Sequence, residues 1–359
     1  MGGLVVTPAA AGTLVPSLLA YPHYPANAWQ DIMYRDALAS GWQFEALDCL
    51  AALDNVEAAG SVLHLGWTAP VAHNATTVRE ALAAVATAKE QLARFRQRGG
   101  RIIWTIHNVL PHEVEFLIPA LELCRAFADA ADVVHVMASA TGKLVRPYYS
   151  LEGSRVERIP HPSYAGIYPS TESRAQAREA LGIAQDVTLA LATGTIRPYK
   201  GVDRLIALSQ QLPQGVELAI VGQFSGGLDP NEARATAGQG CRIVDGYQDG
   251  ESLARWCSAA DVMLLPYTGS LNSGTIELAA TFGLPAIVPP LPTFADFDSR
   301  WVRVVDFDND VPGTVSAISE LAATPTAAAA ARRHASANSP DTVSAAFLQV
   351  LTSLTERAL

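Results

Sequence analysis

Short apolar runs alternate with amphipathic segments along most of the chain. Eight apolar runs are predicted to form strands, at residues 13–22, 61–67, 101–109, 132–138, 187–194, 216–222, 261–267 and 285–290. Because these runs are continuously apolar, we expect strands that are buried on both faces, as in a parallel sheet. Segments between them, such as 28–41 and 78–99, carry apolar residues at helical spacing. The alternation predicts a doubly wound α/β protein.

The alternation is interrupted at residues 158–183, which hold three prolines and several small polar residues. We interpret this stretch as a linker followed by a helix. It predicts one Rossmann-like domain over residues 1–166 and a second over residues 167–339. Residues 340–359 are predicted to form a final amphipathic helix.

Composition excludes several classes of protein. Of the 359 residues, 49% are hydrophobic and 17% are charged, which argues against disorder. The net charge of −10 argues against nucleic acid as a partner. The four cysteines lack CxxC spacing, so neither a zinc site nor a dithiol motif is indicated. No apolar run is long enough to span a membrane and no signal peptide is recognisable, so we expect a cytoplasmic protein.

One basic cluster, RFRQRGGR, stands apart from the acidic balance of the chain. It contains Arg94, Arg96, Arg98 and Arg101. Cations suit the C-terminal end of a helix, so a solvated helix end is one interpretation. A peripheral contact with the anionic inner face of a membrane is the other.

A cationic turn, GTIRPYKG at residues 194–201, follows one of the predicted strands. Ligands of open α/β sheets bind beyond the carboxyl ends of the strands. Arg197 and Lys200 lie just past such an end, where two cations would neutralise a diphosphate. A surface loop with two solvated cations is the alternative.

A second segment, SLNSGTIELAATFGLPAIV at residues 270–288, predicts a loop followed by a helix that begins near Ser273 or Gly274. Gly274 would let a ligand approach the backbone closely, and free amides at a helix N-terminus form an anion site. Glu277, one turn inside the helix, is placed to accept hydrogen bonds from ribose hydroxyls. Alternatively, the negative charge of its carboxylate only stabilises the positive N-terminal end of the helix dipole.

Polar residues also follow a predicted strand in the first half of the chain, in WTIHNVLPHEVEF at residues 104–116. His107 and Asn108 come directly after the strand, and a histidine can bind sugar hydroxyls or transfer protons. Glu113 is a candidate general base or simply an N-terminal helix residue. His107, His112 and Glu113 have no established metal-ligand geometry, so no metal is expected.

The first predicted strand is followed by a loop that carries His23 and Asn27. Asn27 is a good N-cap for the next helix. Asp31 lies one turn inside that helix, which predicts either a position near the cleft or an ordinary helix-terminus carboxylate.

These segments together resemble GT-B glycosyltransferases of family 4. The segments GTIRPYKGVDRLI and SLNSGTIELAATFGLPAIV resemble the diphosphate-binding turn and the nucleotide-sugar segment of that family. The order of PANAWQDIMYRDAL, SVLHLGW and RIIWTIHNVLPHE is similar to bacterial exopolysaccharide β-mannosyltransferases of the xanthan-assembly type. The resemblance covers residues 14–290.

The resemblance implies a GT-B fold whose final helix crosses back onto the first domain. It implies that Lys200, with Arg197, binds the donor diphosphate. It also implies that Glu277 holds the ribose and that His107 contacts the transferred sugar. The rest of the donor-binding set would be Asn272, Ser273, Gly274 and Thr275, whereas His23, Asn27 and Asn108 would line the acceptor side or the cleft.

Three positions depart from the family pattern. Family 4 sequences usually carry a pair of glutamates separated by seven residues. Glu277 matches the second glutamate, and Gly269 occupies the position of the first. Thr195 occupies the position of the usual arginine, and Arg197 is the nearest substitute. Gly66 lies where the related exopolysaccharide sequences tend to have histidine, as in LHLHW.

The expected reaction is transfer of a hexose from a nucleoside diphosphate sugar to an acceptor hydroxyl, without a metal or another cofactor. The first expectation is GDP-mannose as donor and a glycan or lipid-linked saccharide as acceptor. We expect inversion rather than retention of configuration at the anomeric carbon of the transferred sugar. Inversion needs a catalytic base, for which Asp31, His107 and Glu113 are the candidates. A non-catalytic nucleotide-sugar-binding or partner subunit is the alternative. An oxidoreductase is not favoured, because the glycines of VGQFSGG lack GxGxxG spacing.

Overall fold

The computed structural model describes residues 15–111, 114–169 and 172–356. Within them the chain forms two six-stranded sheets, and all paired strands run parallel. The strands of the first sheet are β1 (Ser17–Tyr21), β2 (Gln43–Ala46), β3 (Ser61–Leu65), β4 (Arg101–Thr105), β5 (Val133–Val136) and β6 (Val156–Arg158). They lie side by side in the order β2-β1-β3-β4-β5-β6.

The second sheet lies side by side in the order β12-β11-β10-β7-β8-β9. Its strands are β7 (Thr188–Thr193), β8 (Val216–Gly222), β9 (Cys241–Asp245), β10 (Val262–Leu264), β11 (Ala286–Val288) and β12 (Val302–Val304). The doubly wound α/β class predicted from the sequence is confirmed.

Helices connect the strands and cover the sheets. In the first half of the chain they are α1 (Ala28–Ala39), α2 (Val78–Gln97), α3 (Leu117–Ala130) and α4 (Thr141–Val145). In the second half they are α5 (Arg174–Leu181), α6 (Val202–Ser209), α7 (Pro230–Thr236), α8 (Gly250–Ala259), α9 (Gly274–Phe282), α10 (Val311–Ala322), α11 (Pro325–Ala337) and α12 (Pro340–Glu356). In the described part of the chain, no helix has both the length and the apolar character needed to cross a membrane.

Every strand that the sequence pattern did not predict lies at an edge of a sheet. The eight predicted apolar runs each contain one strand, and together they are the four central strands of each sheet. The four missed strands are β2, β6, β9 and β12. Their residues are mostly exposed or half-buried. An edge strand has one neighbour and less cover, so it need not be continuously apolar.

Alternate residues of the central strands of the first sheet pack on opposite faces, as the two-residue period of a strand requires. Leu63 of β3 faces a core that includes α2 and α3, whereas the preceding Val62 faces a core that includes α1 and α12. Helix α12 contributes Phe347 and Leu351 to the latter core. The final helix therefore crosses back onto the first sheet, as expected. The boundary placed at residue 166 stays a prediction.

Candidate active site

Loops at the carboxyl ends of the strands line a central cavity of about 660 Å³. Parallel strands present these ends at one edge of a sheet, where α/β proteins bind ligands. Six of the residues expected at the site line this cavity: Asn27, His107, Asn108, Arg197, Asn272 and Gly274. The structure thus brings residues from both halves of the chain to one cavity.

The cationic turn leaves β7 and contains a short 3-10 helix, Pro198–Lys200. The Nζ of Lys200 donates to the carbonyl of Thr193 at 3.1 Å and lies 5.9 Å from the ring centre of Tyr267. Burial lowers the pKa of the Lys200 amine. Because an ammonium has three N–H groups, two remain for an anionic ligand.

Two glycines shape this turn. Gly194 has a φ of +96°, and a Cβ there would lie 2.7 Å from Nζ of Lys200 and 3.9 Å from Oγ1 of Thr275. Gly201 has a φ of +71°, and a Cβ there would lie 2.1 Å from the carbonyl oxygen of Pro266. At each position a glycine is favoured, because it adopts the positive φ and has no Cβ to meet the neighbouring atom. The turn is therefore held against the loop that leads to α9, and Gly194 borders both Lys200 and Thr275.

Helix α9 begins as the sequence predicts, with Ser273 as its N-cap. The Ser273 side chain makes no capping hydrogen bond; its hydroxyl lies 3.4 Å from that of Tyr267. The first amides of a helix have no partner within it, which is the usual basis of an anion site. Gly274 lines the cavity, so no side chain of its own covers these amides.

Glu277 is paired with a histidine that the sequence analysis did not single out. Its carboxylate is 3% exposed, and its Oε2 and Oε1 atoms lie 3.1 and 3.2 Å from Nε2 of His334 on α11. Both residues line a cavity of about 330 Å³ that adjoins the central one. A buried carboxylate requires such a partner. The ribose-binding role of Glu277 stays a prediction, now with His334 beside it.

His107 is held between two tryptophans. Its ring stacks on that of Trp67, with 3.9 Å between centres, and meets Trp29 edge-on at 4.6 Å. Burial, reinforced by neighbouring histidines, lowers the pKa of His107 well below its ordinary range. Its Nε2 is buried and has no hydrogen-bond partner in the described part of the chain. His107 is therefore a neutral ring, and proton transfer at Nε2 would require the ring to move.

A buried chain of hydrogen bonds runs beneath His107. Nε2 of His135 lies 2.9 Å from the Ile159 carbonyl, which only accepts, so Nε2 carries the proton. Nδ1 of His135 then accepts from the hydroxyl of Thr105 at 2.8 Å. That hydroxyl accepts in turn from Nε2 of His64 at 2.6 Å, and Nδ1 of His64 accepts from Tyr34 at 2.7 Å. Both histidines are neutral in this arrangement, with one tautomer each.

Asn272 ties the loop before α9 to the end of β4. Its Nδ2 donates to the carbonyl oxygens of Ile106 at 3.2 Å and His107 at 2.9 Å. The preceding Leu271 is buried in the core of the first sheet. With Nδ2 engaged in these bonds, only Oδ1 of the Asn272 side chain is left to contact a bound nucleotide sugar.

Several candidates do not reach the cavity. His23 packs edge-on against Phe44, with 5.2 Å between ring centres, and Asp31 is exposed on α1. Neither lines the central cavity. Asn27 does, and it also caps α1 as predicted, accepting from the amide of Trp29 at 3.0 Å. His112 and Glu113 lie outside the described residues.

Four polar or aromatic residues that line the central cavity were not among the predicted site residues: Tyr24, Trp67, Thr68 and His161. Trp67 ends the predicted run 61–67 and lies two residues beyond β3, so its position at the end of a predicted strand was an available signal. His161 lies in the linker, where no strand or helix pattern assigns a position.

The basic cluster lies at the C-terminal end of α2, a helix about 30 Å long. Because α2 follows β3, this end lies at the sheet edge away from the cavity. Each arginine has a partner within the chain: Arg94 with Asp54, Arg96 and Arg101 with Asp132, and Arg98 with the Val56 carbonyl. The membrane contact stays a prediction.

The three departures from the family pattern differ in their surroundings. Gly269 is exposed, and a Cβ there would meet no atom within 4 Å. Thr195 is exposed as well. Gly66 is buried, and a Cβ there would lie 3.9 Å from Nε2 of His107. A side chain at position 66 would thus begin in contact with the His107 ring, at its buried Nε2.

No three His, Cys, Asp or Glu side chains within residues 15–111, 114–169 and 172–356 are placed to hold a metal ion. Metal independence stays a prediction.

Comparison with known proteins finds similarity to glycosyltransferases, as expected. No protein-family model matches the chain. Over 238 residues, the chain is 28% identical to a "GDP-mannose:glycolipid 4-beta-D-mannosyltransferase" of Xanthomonas campestris pv. campestris. The match covers 64% of this chain and 61% of the relative, so the chain spans about six tenths of the relative's length.

Solved structures match almost the whole chain. Sucrose-phosphate synthase from Thermosynechococcus elongatus superposes with a TM-score of 0.73 at 19% identity, over 95% of this chain and 99% of that one. Anabaena HepE, in complex with UDP and glucose, has a TM-score of 0.69 at 15% identity, over 95% and 100%. The protein therefore has the GT-B fold of these structures, and its expected resemblance to glycosyltransferases is confirmed.

Proposed function

We propose that this protein is a glycosyltransferase that moves a hexose from a nucleoside diphosphate sugar to an acceptor hydroxyl. One observation carries the proposal: Arg197 of the cationic turn and Gly274, the first residue of α9, line the same cavity as His107. A cation and free helix amides suit a diphosphate, and a polar, aromatic-lined cavity suits a sugar.

The leaving diphosphate gains negative charge as the glycosidic bond breaks. Lys200, Arg197 and the first amides of α9 are proposed to stabilise that charge. Preorganised donors of this kind contribute about 3–4 kcal/mol each in favourable cases. With these groups in place, departure of the diphosphate would need no metal ion. A neutral His107 would bind a sugar hydroxyl rather than carry charge.

GDP-mannose is proposed as the donor, and this assignment is supported by the name of the Xanthomonas relative. The structure of HepE with UDP indicates that the fold also serves another base.

A lipid-linked saccharide is proposed as the acceptor. A second cavity, of about 270 Å³, shares Thr68, Ala69 and Pro111 with the central one. Its other lining residues are mostly apolar, and the neighbouring Leu117 and Ile118 are 53% and 64% exposed. An apolar path that begins at the sugar cavity suits the lipid part of a glycolipid, as does the name of the relative.

The test is a transfer assay on the full chain. GDP-mannose, GDP-glucose, UDP-glucose and UDP-galactose are each incubated with a polyprenyl-diphosphate-linked saccharide, and products are weighed by mass spectrometry. We expect one donor to add one hexose, and Lys200→Ala to lose most of that activity. Nucleotide binding without transfer or donor hydrolysis would instead favour a non-catalytic nucleotide-sugar-binding subunit, which the exposed Gly269 would then help to explain.

A further inference from the structure

His161 lies in the linker between the two sheets and contributes to both cavities of the site. It lines the central cavity together with Arg197 and Gly274, and the adjoining cavity together with Glu277. A Cβ built on Gly274 would lie 3.5 Å from Nε2 of His161. The imidazole is therefore placed beside the first residue of α9.

The hydrogen bond at the other ring nitrogen fixes the tautomer. Nδ1 of His161 lies 2.8 Å from the carbonyl oxygen of Pro162. A carbonyl oxygen only accepts, so Nδ1 carries a proton. In the neutral ring Nε2 is then an unprotonated acceptor, and it has no hydrogen-bond partner in the described part of the chain. Without ligand, His161 presents a lone pair to a region that otherwise offers donors.

The charges around His161 decide how it responds to an anion. Burial lowers the pKa of His161, whereas the carboxylate of Glu277 and the bond to Pro162 raise it. Arg158, Asp296 and His334 line the adjoining cavity, and Arg197 lines the central one. His107 and His135 lie on the side of the first sheet, and electrostatic repulsion from His161 helps to lower the pKa of each. The ring centre of Tyr164 is 5.8 Å away. A diphosphate at α9 would add negative charge next to this imidazole and favour its protonation.

We propose that His161 takes up a proton from solvent when the nucleotide binds, and that the resulting imidazolium donates from Nε2 to a phosphate oxygen. This inference rests on the proposed diphosphate site at α9. It adds a third cation to that site, one supplied by the linker between the sheets rather than by the second sheet. It makes nucleotide affinity depend on pH.

The sign of that dependence follows from linkage. A group whose pKa is higher in the complex than in the free protein strengthens binding below the pKa of the complex. The contribution is lost as pH rises through that value. Affinity should therefore fall by up to about tenfold per pH unit above it, because one proton is taken up for each nucleotide bound.

The experiment is calorimetric titration of the full chain with GDP, and with UDP in parallel, from about pH 6 to about pH 8.5. Each titration is run in two buffers of different ionisation enthalpy, which counts the protons taken up. His161→Asn keeps a side-chain donor toward Pro162 but has no Nε2. His161→Gln is neutral as well. The matched control for nucleotide binding is His73→Gln, which removes an exposed histidine that lines the proposed lipid cavity and not the central one.

We expect the wild-type protein and His73→Gln to take up a larger fraction of a proton than either His161 variant. We also expect the variants to bind at least about tenfold more weakly near pH 6.5. Equal proton uptake by wild type and both His161 variants would overturn the role of His161 while leaving the nucleotide site intact. Failure of the wild type to bind either nucleotide would overturn both this inference and the proposed function.

Discussion

The side-chain amide of Asn272 donates to the main-chain carbonyl of His107, with 2.9 Å between Nδ2 and the oxygen. The same Nδ2 donates to the carbonyl of Ile106. These bonds join the loop before α9 to the end of β4. They set the distance between the proposed phosphate site and the histidine that faces the sugar cavity.

Asn272→Asp should uncouple sugar transfer from nucleotide binding. The substitution keeps the shape of the side chain but replaces the amide with a second oxygen, which faces two carbonyl oxygens. We expect a loss of about 1–3 kcal/mol in the free energy of unfolding. We also expect a kcat for transfer that falls more than GDP affinity does. Denaturant unfolding, transfer kinetics and nucleotide titration measure the three quantities.

The matched control is Asn74→Asp, which makes the same change at an exposed position. It should leave all three quantities near their wild-type values. If Asn272→Asp instead lowers GDP affinity as strongly as kcat, Asn272 acts mainly as a donor-binding residue.

Gly201→Ala should be far more damaging than an ordinary glycine substitution. Gly201 has a positive φ, and an added Cβ would lie 2.1 Å from the Pro266 carbonyl oxygen. We expect a loss of about 2–4 kcal/mol in the free energy of unfolding, together with loss of nucleotide binding. Gly269→Ala is the control, since a Cβ there meets nothing within 4 Å. It should stay within about 0.5 kcal/mol of wild type. Similar losses for the two variants would contradict this account of the turn.

The sequence predicted the parts of the fold that are buried on both sides. The central strands are continuously apolar because sheet neighbours and helices cover them. Edge strand β2 has exposed residues throughout, so its sequence resembles a loop. The same limit applies to the site. Arg197 and Lys200 follow a predicted strand and were identified by that position. His161 and His334 reach the site through a linker and a distant helix, and local patterns carry no information about such long-range packing.

The buried histidines should make the protein acid-sensitive. Burial lowers the pKa of His64 to about 3 and that of His135 to about 4. The unfolded chain therefore binds more protons than the folded one as pH falls from about 6.5 toward 4, and the free energy of unfolding decreases. Each histidine contributes up to about 1.4 kcal/mol per pH unit. Denaturant unfolding at a series of pH values measures this slope.

His64→Gln should reduce the slope by the contribution of one histidine, whatever it does to stability at neutral pH. His73→Gln, which changes an exposed residue, should leave the slope unchanged. A wild-type stability that does not vary with pH over this range would show that these histidines are not buried as neutral rings.

Leu117→Gln combined with Ile118→Gln should weaken the use of a lipid-linked acceptor. Both side chains are exposed and adjoin the apolar cavity beside the sugar site. We expect KM to rise for an acceptor with a long polyprenyl chain and to change little for the same saccharide on a short, soluble tail. Val304→Gln, at another exposed apolar position on an edge strand, is the control. An equal rise in KM for both acceptors would contradict a role in holding lipid.

The most direct test of the account is binding of nucleoside diphosphates to the wild-type protein and to Lys200→Ala, measured by thermal unfolding with GDP, UDP, TDP and ADP. Lys143→Ala, which removes an exposed lysine, is the control. A ligand at about 100 times its Kd should add roughly 2.7 kcal/mol to the free energy of unfolding. We predict that one nucleotide raises the Tm of the wild type and of Lys143→Ala but not that of Lys200→Ala. No shift with any nucleotide at millimolar concentration, or an equal shift in Lys200→Ala, would contradict a diphosphate site at this turn.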